Sequence, residues 1–170
     1  MTTTAPATRA GRAKSAPARK ERVPGAFHLF DFAAVSQATP LERIAWIRHG
    51  IGAGCVMEMA ARMDISQDRL MKQLGLPRAT IVRKATARQN LSTAQAERVI
   101  GLAMLIVQVQ TMVNESGNRE GFDAAHWLAQ WFERPNAALG GRRPAELMDT
   151  VTGQNLVFSI LAKLQSAAYA

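Results

Sequence analysis

A chain of 170 residues with 48% hydrophobic content can bury one ordinary core or two small ones, which excludes disorder throughout. Its lone Cys55 excludes intramolecular disulfides and a cysteine-based metal cage, and the nearest approach to a membrane span, Ile100 to Val113, is interrupted by Gln108, Gln110 and Thr111. The net charge of +8 is concentrated in residues 1–22, with six basic against one acidic residue, and in residues 62–88, with seven against two, while the rest is close to neutral. Two patches of this kind suit a polyanionic partner, because each phosphate they neutralise releases a condensed counterion.

Residues 1–25 are built from Thr, Ala, Pro, Arg and Lys with no large apolar residue except Val23, and are expected to form a disordered basic arm. They lack the compact apolar block of a signal peptide, so a cytoplasmic protein with no membrane partner is expected. A short apolar stretch, residues 27–32, follows. Thr39-Pro40 reads as an N-cap with Pro at the first helical position, and Leu41, Ile44 and Ile47 form the expected inner face of that helix. Gly50, Gly52 and Gly54 break it. Val56, Met57, Met59 and Ala60 belong to a second helix that should end near Met63.

From Gln67 to Ala85 the spacing is that of a helix-turn-helix. Leu70 and Leu74 share a face of the first helix, Gly75 supplies the left-handed residue of the turn, Leu76 plugs the angle, and Ile81 with Ala85 anchors the second helix. The N-terminal residues of that second helix would enter the DNA major groove. Arg78, Thr80 and Arg83 are the candidates for bases or neighbouring phosphates, and Arg69, Lys72, Lys84 and Arg88 for phosphates, since guanidinium forks suit guanine edges and ammonium groups act as point charges.

Ser92-Thr-Ala-Gln95 is a capping box that opens the longest helix, expected to run to about Asn114. Val99, Leu102, Ala103, Ile106, Val109 and Val113 form one apolar stripe, yet Met104, Leu105 and Val107 lie off it, so more than one face must be covered. A loop is expected from Asn114 to Gly121, Asp123 should cap a helix through Phe132, Pro144 should begin a short helix, and Thr152 should cap the last one. The fold class is therefore all-α: an N-terminal helix-turn-helix region joined by a long helix to a small helical C-terminal domain, with boundaries at 1–25, 26–90 and 91–170. His28, His49 and His126 are scattered, and no phosphate loop or nucleophile triad is visible, so neither an enzyme nor a metal or cofactor site is expected.

The run Trp131-x-x-x-Pro135-Asn136-x-x-Leu139-Gly140-Gly141-x-x-Pro144-x-x-Leu147 is too particular to be filler. Together with Leu91-Ser92, Glu97-Arg98-Val99, Gly153 and Leu161-x-Lys163-Leu164 with Tyr169, it resembles the Xre-type antitoxins of RES/Xre toxin-antitoxin pairs, which carry the Xre/MbcA/ParS toxin-binding domain. The likeness covers about residues 40–170. It implies an antitoxin that docks on a RES-domain toxin, a protein resembling ADP-ribosyltransferases and acting on NAD, that covers its active site, and that represses its own operon as a homodimer or higher oligomer. Phe132 stands where Leu usually follows the Trp, Ala167 where a Gly is usual near the bend that would aim the C-terminus, and the basic arm is an addition. Pro135 and Pro144 fix φ and stiffen the loop, which would present Arg142 and Arg143 on a rigid rim; Lys163, Tyr169 and Ala170 are the further candidates for toxin contact. Trp127, Trp131, Leu139 and Leu147 are expected to be core. Two other readings are compatible with the residues: a stand-alone helix-turn-helix regulator whose C-terminal half only dimerises, and a general nucleic-acid binder driven by the arm.

Overall fold

A computed structural model of the chain describes Met1, residues 32–117 and residues 121–168. The expected basic arm beyond Met1, the apolar stretch up to residue 31, and the toxin-contact candidates Tyr169 and Ala170 lie outside the described residues. Among the described residues the chain is all-α, with one isolated bridge, Gly52 to Asn90, and no strand.

The first helix, α1 (Phe32–Gln37), was not expected from the sequence: it has no capping pattern and only two turns, and it forms by packing on the core, where Val35 is buried. In α2 (Pro40–His49) Thr39 and Glu42 close a full capping box, with bonds of 3.2 and 2.7 Å. Its expected inner face is corrected by the structure. Trp46 is the buried residue, while Leu41 and Ile44 remain 72% and 42% exposed. The indole carries the larger apolar area and takes the inner position, turning the smaller side chains outward.

Gly50 has φ +96°, and a Cβ there would meet the Asn90 amide nitrogen at 2.4 Å. The loop it opens is strapped to the segment after α5 by Ala53 N–H to the Gln89 carbonyl at 2.9 Å and Leu91 N–H to the Ile51 carbonyl at 2.7 Å. Three helices follow: α3 (Cys55–Arg62), α4 (Gln67–Gln73) and α5 (Arg78–Thr86). Each stops in the same way, with a left-handed residue whose N–H and whose successor's N–H return to the last turn; the residues are Asp64, Gly75 and Arg88. Cys55 is core, and burial pushes its thiol up to about 12, with the nearby Glu58 adding to the rise.

The centre of the molecule is α6 (Thr93–Ser116), opened by the Ser92–Gln95 capping box and packed on by α1, α2, α7 (Ala124–Trp131) and α8 (Val151–Ala168). It is long and apolar enough to cross a membrane, with a mean hydropathy of 1.4, but half of that stretch is buried by neighbouring helices. Residues on the expected stripe and off it are buried alike, including Val99, Leu102, Ile106, Leu105 and Val107. The helix outruns its expected end, reaching Ser116 before Gly117 turns left-handed at φ +81°. Asp123 caps α7 as expected, its carboxylate accepting from Ala125 and His126.

The last helix is capped two residues earlier than expected. The hydroxyl of Thr150, not Thr152, accepts the Gly153 N–H at 3.1 Å, and α8 begins at Val151. Helix α8 packs on α6 where Gly101 faces Gln154, whose buried amide donates to the Arg98 carbonyl at 3.0 Å and the Met148 carbonyl at 2.9 Å.

Candidate DNA-reading hairpin and docking module

Helices α4 and α5 form the expected hairpin. Leu70, Leu74, Leu76 and Ile81 are buried, Ala85 is half-buried against the core, and Gly75 adopts φ +58°. Gly75 N–H returns to Lys72 and Leu76 N–H to Met71, at 3.1 and 2.8 Å, which fixes the turn and drives Leu76 inward. A side chain from outside the hairpin locks it. The Arg98 guanidinium of α6 donates to the Leu74 carbonyl at 2.8 Å, the Gly75 carbonyl at 2.9 Å and, across the fold, the Asp149 carbonyl at 3.3 Å. A cation here satisfies carbonyls at the negative end of α4 and ties the turn to the C-terminal module.

The outer face of α5 is Ala79, Val82, Arg83 and Thr86, all exposed. Of the candidate DNA contacts, Arg83 and Arg88 are exposed and have no ion-pair partner among the described residues. Arg78 is exposed but paired with Asp68, Thr80 is half-buried, and Lys84 turns toward α6, reaching the Gln95 amide oxygen at 3.5 Å. Arg69 and Lys72 lie on the side of α4 that faces the C-terminal module rather than beside Arg83. The hairpin thus gathers Arg78, Arg83 and Arg88 on or beside α5 and places Arg69 and Lys72 apart from them.

The segment after α7 closes on itself. Asn136 accepts the Ala138 N–H through its side chain at 2.9 Å, its N–H donates to the Arg142 carbonyl at 3.0 Å, and its carbonyl takes the Gly141 N–H at 3.0 Å. Gly140 and Gly141 take φ of +65° and +83°, conformations that the closed loop requires and that side chains disfavour. Below it, Trp131 and Phe132 are buried, Trp127 stacks on Trp131 with ring centroids 6.1 Å apart, and Leu139 and Leu147 pack against the core. The expected platform is therefore braced by its own backbone. On its rim Arg142 is exposed with no salt bridge or side-chain hydrogen bond among the described residues, while Arg143 pairs with Glu146 at 2.9 Å and Glu133 at 3.1 Å. Lys163 is exposed on α8, and the backbone stays helical through Ala168 with no bend at Ala167.

From the sequence Glu133 looks like a cap or a solvated charge, but it is the polar residue on which hairpin and platform meet. Its carboxylate accepts from Arg69 at 2.8 Å, Gln73 at 2.9 Å and Arg143 at 3.1 Å. The hydrogen bond from Arg69 chiefly holds its pKa below the ordinary value, against partial desolvation. Its contribution to stability is therefore present at neutral pH and is lost as the pH falls below the ordinary carboxylate range through the lowered value. The sequence held no local signal for it, since Arg69 and Glu133 belong to different parts of the chain.

Comparison with known proteins agrees with this two-part construction. The Antitoxin Xre-like helix-turn-helix domain matches residues 42–104, and the Antitoxin Xre/MbcA/ParS C-terminal toxin-binding domain matches residues 119–166. A similar protein, named Prs ADP-ribosylating antitoxin, from Sphingobium sp. (strain YBL2), is 42% identical over 141 residues, covering 83% of this chain and 89% of the relative. With a helix-turn-helix built on α4 and α5, a braced docking platform after α7, and a relative matched over nearly its whole length, the chain belongs to the Xre-type antitoxins that carry the Xre/MbcA/ParS toxin-binding domain.

Proposed function

We propose that the chain neutralises a RES-domain toxin by covering its active site and represses its own operon through α4 and α5, without being an enzyme itself. The observation that carries this reading is the joining of a DNA-reading hairpin and a toxin-binding domain in one body through Arg98. The relative's name speaks of ADP-ribosylation, which supports a partner that acts on NAD. Functionally the chain divides near residue 90, with Arg142, Arg143, Lys163 and the C-terminal residues Tyr169 and Ala170 facing the toxin in the cytoplasm.

On the DNA side, Pro77 precedes α5 as its N-cap and offers no side-chain cap, so the N–H groups of the first turn are open to a phosphate, and Arg83 with exposed Val82 is placed to meet base edges. A homodimer would present two copies of α5 to two half-sites. An apolar groove between α2, α6 and α8, with Ile44, Val151 and Phe158 exposed along it, supports such an assembly. Arg83→Ala should weaken operator binding by about 1–3 kcal/mol, roughly 5- to 150-fold, in a gel-shift titration at fixed salt. Unchanged affinity would remove α5 from the operator interface.

A further inference from the structure

The outward face of α5 is poor in hydrogen-bonding groups. Ala79, Val82, Arg83 and Thr86 recur at the spacing of one helical face and all are exposed, Val82 keeping 37% of its surface in solvent, while Ile81 is buried beneath them. The Thr86 hydroxyl is used inside the helix, donating to the Val82 carbonyl at 3.0 Å, so the part of Thr86 left for a ligand is chiefly its methyl. Only Arg83 offers donors on this face. The polar side chains beside it are engaged elsewhere, Arg78 with Asp68 and Lys84 with the Gln95 amide oxygen at 3.5 Å. What remains for a ligand is one guanidinium set among methyl groups.

We propose that this face reads thymine: Val82, with Ala79 and the Thr86 methyl, packs on thymine 5-methyl groups, and Arg83 takes a guanine beside them. The inference rests on the functional reading above and deepens it by naming the bases. In the major groove thymine alone presents a methyl, while guanine presents the O6 and N7 acceptors that suit a guanidinium fork. Valine and alanine can bond neither the amino group of cytosine nor that of adenine, and pressed on those edges they would strip water from a donor and return nothing. The seven residues from Ala79 to Thr86 rise about 1.5 Å each, roughly 10 Å in all, which matches about three base-pair steps of about 3.4 Å. Each half-site should therefore hold a short run in which thymines adjoin one guanine. Val82 is the specificity-determining residue of that run.

The test uses the full chain and the DNA ahead of its own gene, synthesised once with thymidine and once with deoxyuridine, which deletes every 5-methyl and leaves the hydrogen-bonding edges unchanged. Affinity is read by fluorescence anisotropy at fixed salt for the native chain, Val82→Ala and Thr86→Ser, the last of which keeps the hydroxyl that bonds the helix. Burying one methyl is worth about fourfold in affinity, so the uracil duplex should bind the native chain at least about fourfold more weakly. In Val82→Ala that penalty should shrink by about threefold, and any effect of uracil on duplex shape, being common to both proteins, cancels in the comparison. Equal affinity of the native chain for the two duplexes, or a uracil penalty undiminished in both variants, would overturn the thymine reading while leaving operator recognition standing. Binding of the thymine duplex no tighter than that of an unrelated duplex of equal length would remove the functional reading and this inference with it.

Discussion

Gly153→Ala should destabilise the C-terminal module more than an alanine at any other glycine among the described residues. A Cβ at Gly153 would lie 2.0 Å from the Leu147 carbonyl oxygen and 2.9 Å from its carbon, and these are backbone atoms of the 3-10 turn Pro144–Leu147, not the end of a flexible side chain. The turn cannot retreat easily. Pro144 fixes one end, and the Ala145 N–H is bonded to the Phe132 carbonyl at 3.0 Å. Either α8 lifts away, losing the Thr150 cap and the Gln154 bond to α6, or the turn breaks from α7. Overpacking of this kind costs about 3 kcal/mol, and a protein of this length should melt roughly 6–12 °C lower. Gly101→Ala would meet Gln154 instead, a side-chain contact, and serves as the milder comparison. A Gly153→Ala protein that melts within a degree of the native chain would show that α8 does not sit on the turn as described.

Removing residues 166–170 should abolish toxin neutralisation while leaving fold and operator binding nearly intact. The point of truncation follows from the packing. Ile160 and Leu161 are buried against α6, and the Gln165 amide binds Glu115, so a cut at 160 would take core side chains and confuse unfolding with loss of contact. A cut after Gln165 spares Val157, Ile160 and Leu161, the buried apolar residues among the described side chains of α8. Under the proposed plugging role, affinity for the toxin should fall at least tenfold, about 1.4 kcal/mol, and co-expressed cells should fare as if the antitoxin were missing. The melting temperature and the gel-shift midpoint should hardly move. Full protection by the truncated chain would assign neutralisation to the residues that remain, Arg142, Arg143 and Lys163, and not to the C-terminal tail.

What the sequence made legible was local. The hairpin could be read because Leu70, Leu74, Gly75, Leu76 and Ile81 lie within a dozen residues and each obeys a short-range rule: a shared face, a left-handed turn, a plug. The Ser92–Gln95 box and the Asp123 cap were legible for the same reason. The platform was legible because prolines and glycines state their backbone angles in advance. The parts that were missed depend on distant neighbours. Nothing near Leu41 announces that Trp46 will take the inner position, and α1 exists only because α6 is there to cover it. Arg69 and Arg143 looked like two independent surface cations until the fold brought both to Glu133. Charge counting finds the patches, but it does not say which cations are already engaged.

The central claim is that one helical body serves two macromolecules, with the docking platform seated on a toxin. Its most direct test is co-expression of the tagged full-length chain with a RES-domain protein encoded beside it, following growth and what copurifies. The account predicts that the RES-domain protein arrests growth alone, that this chain restores growth, and that the two leave the column together. Arrest that persists while both proteins are soluble, with the chain eluting by itself, would contradict it.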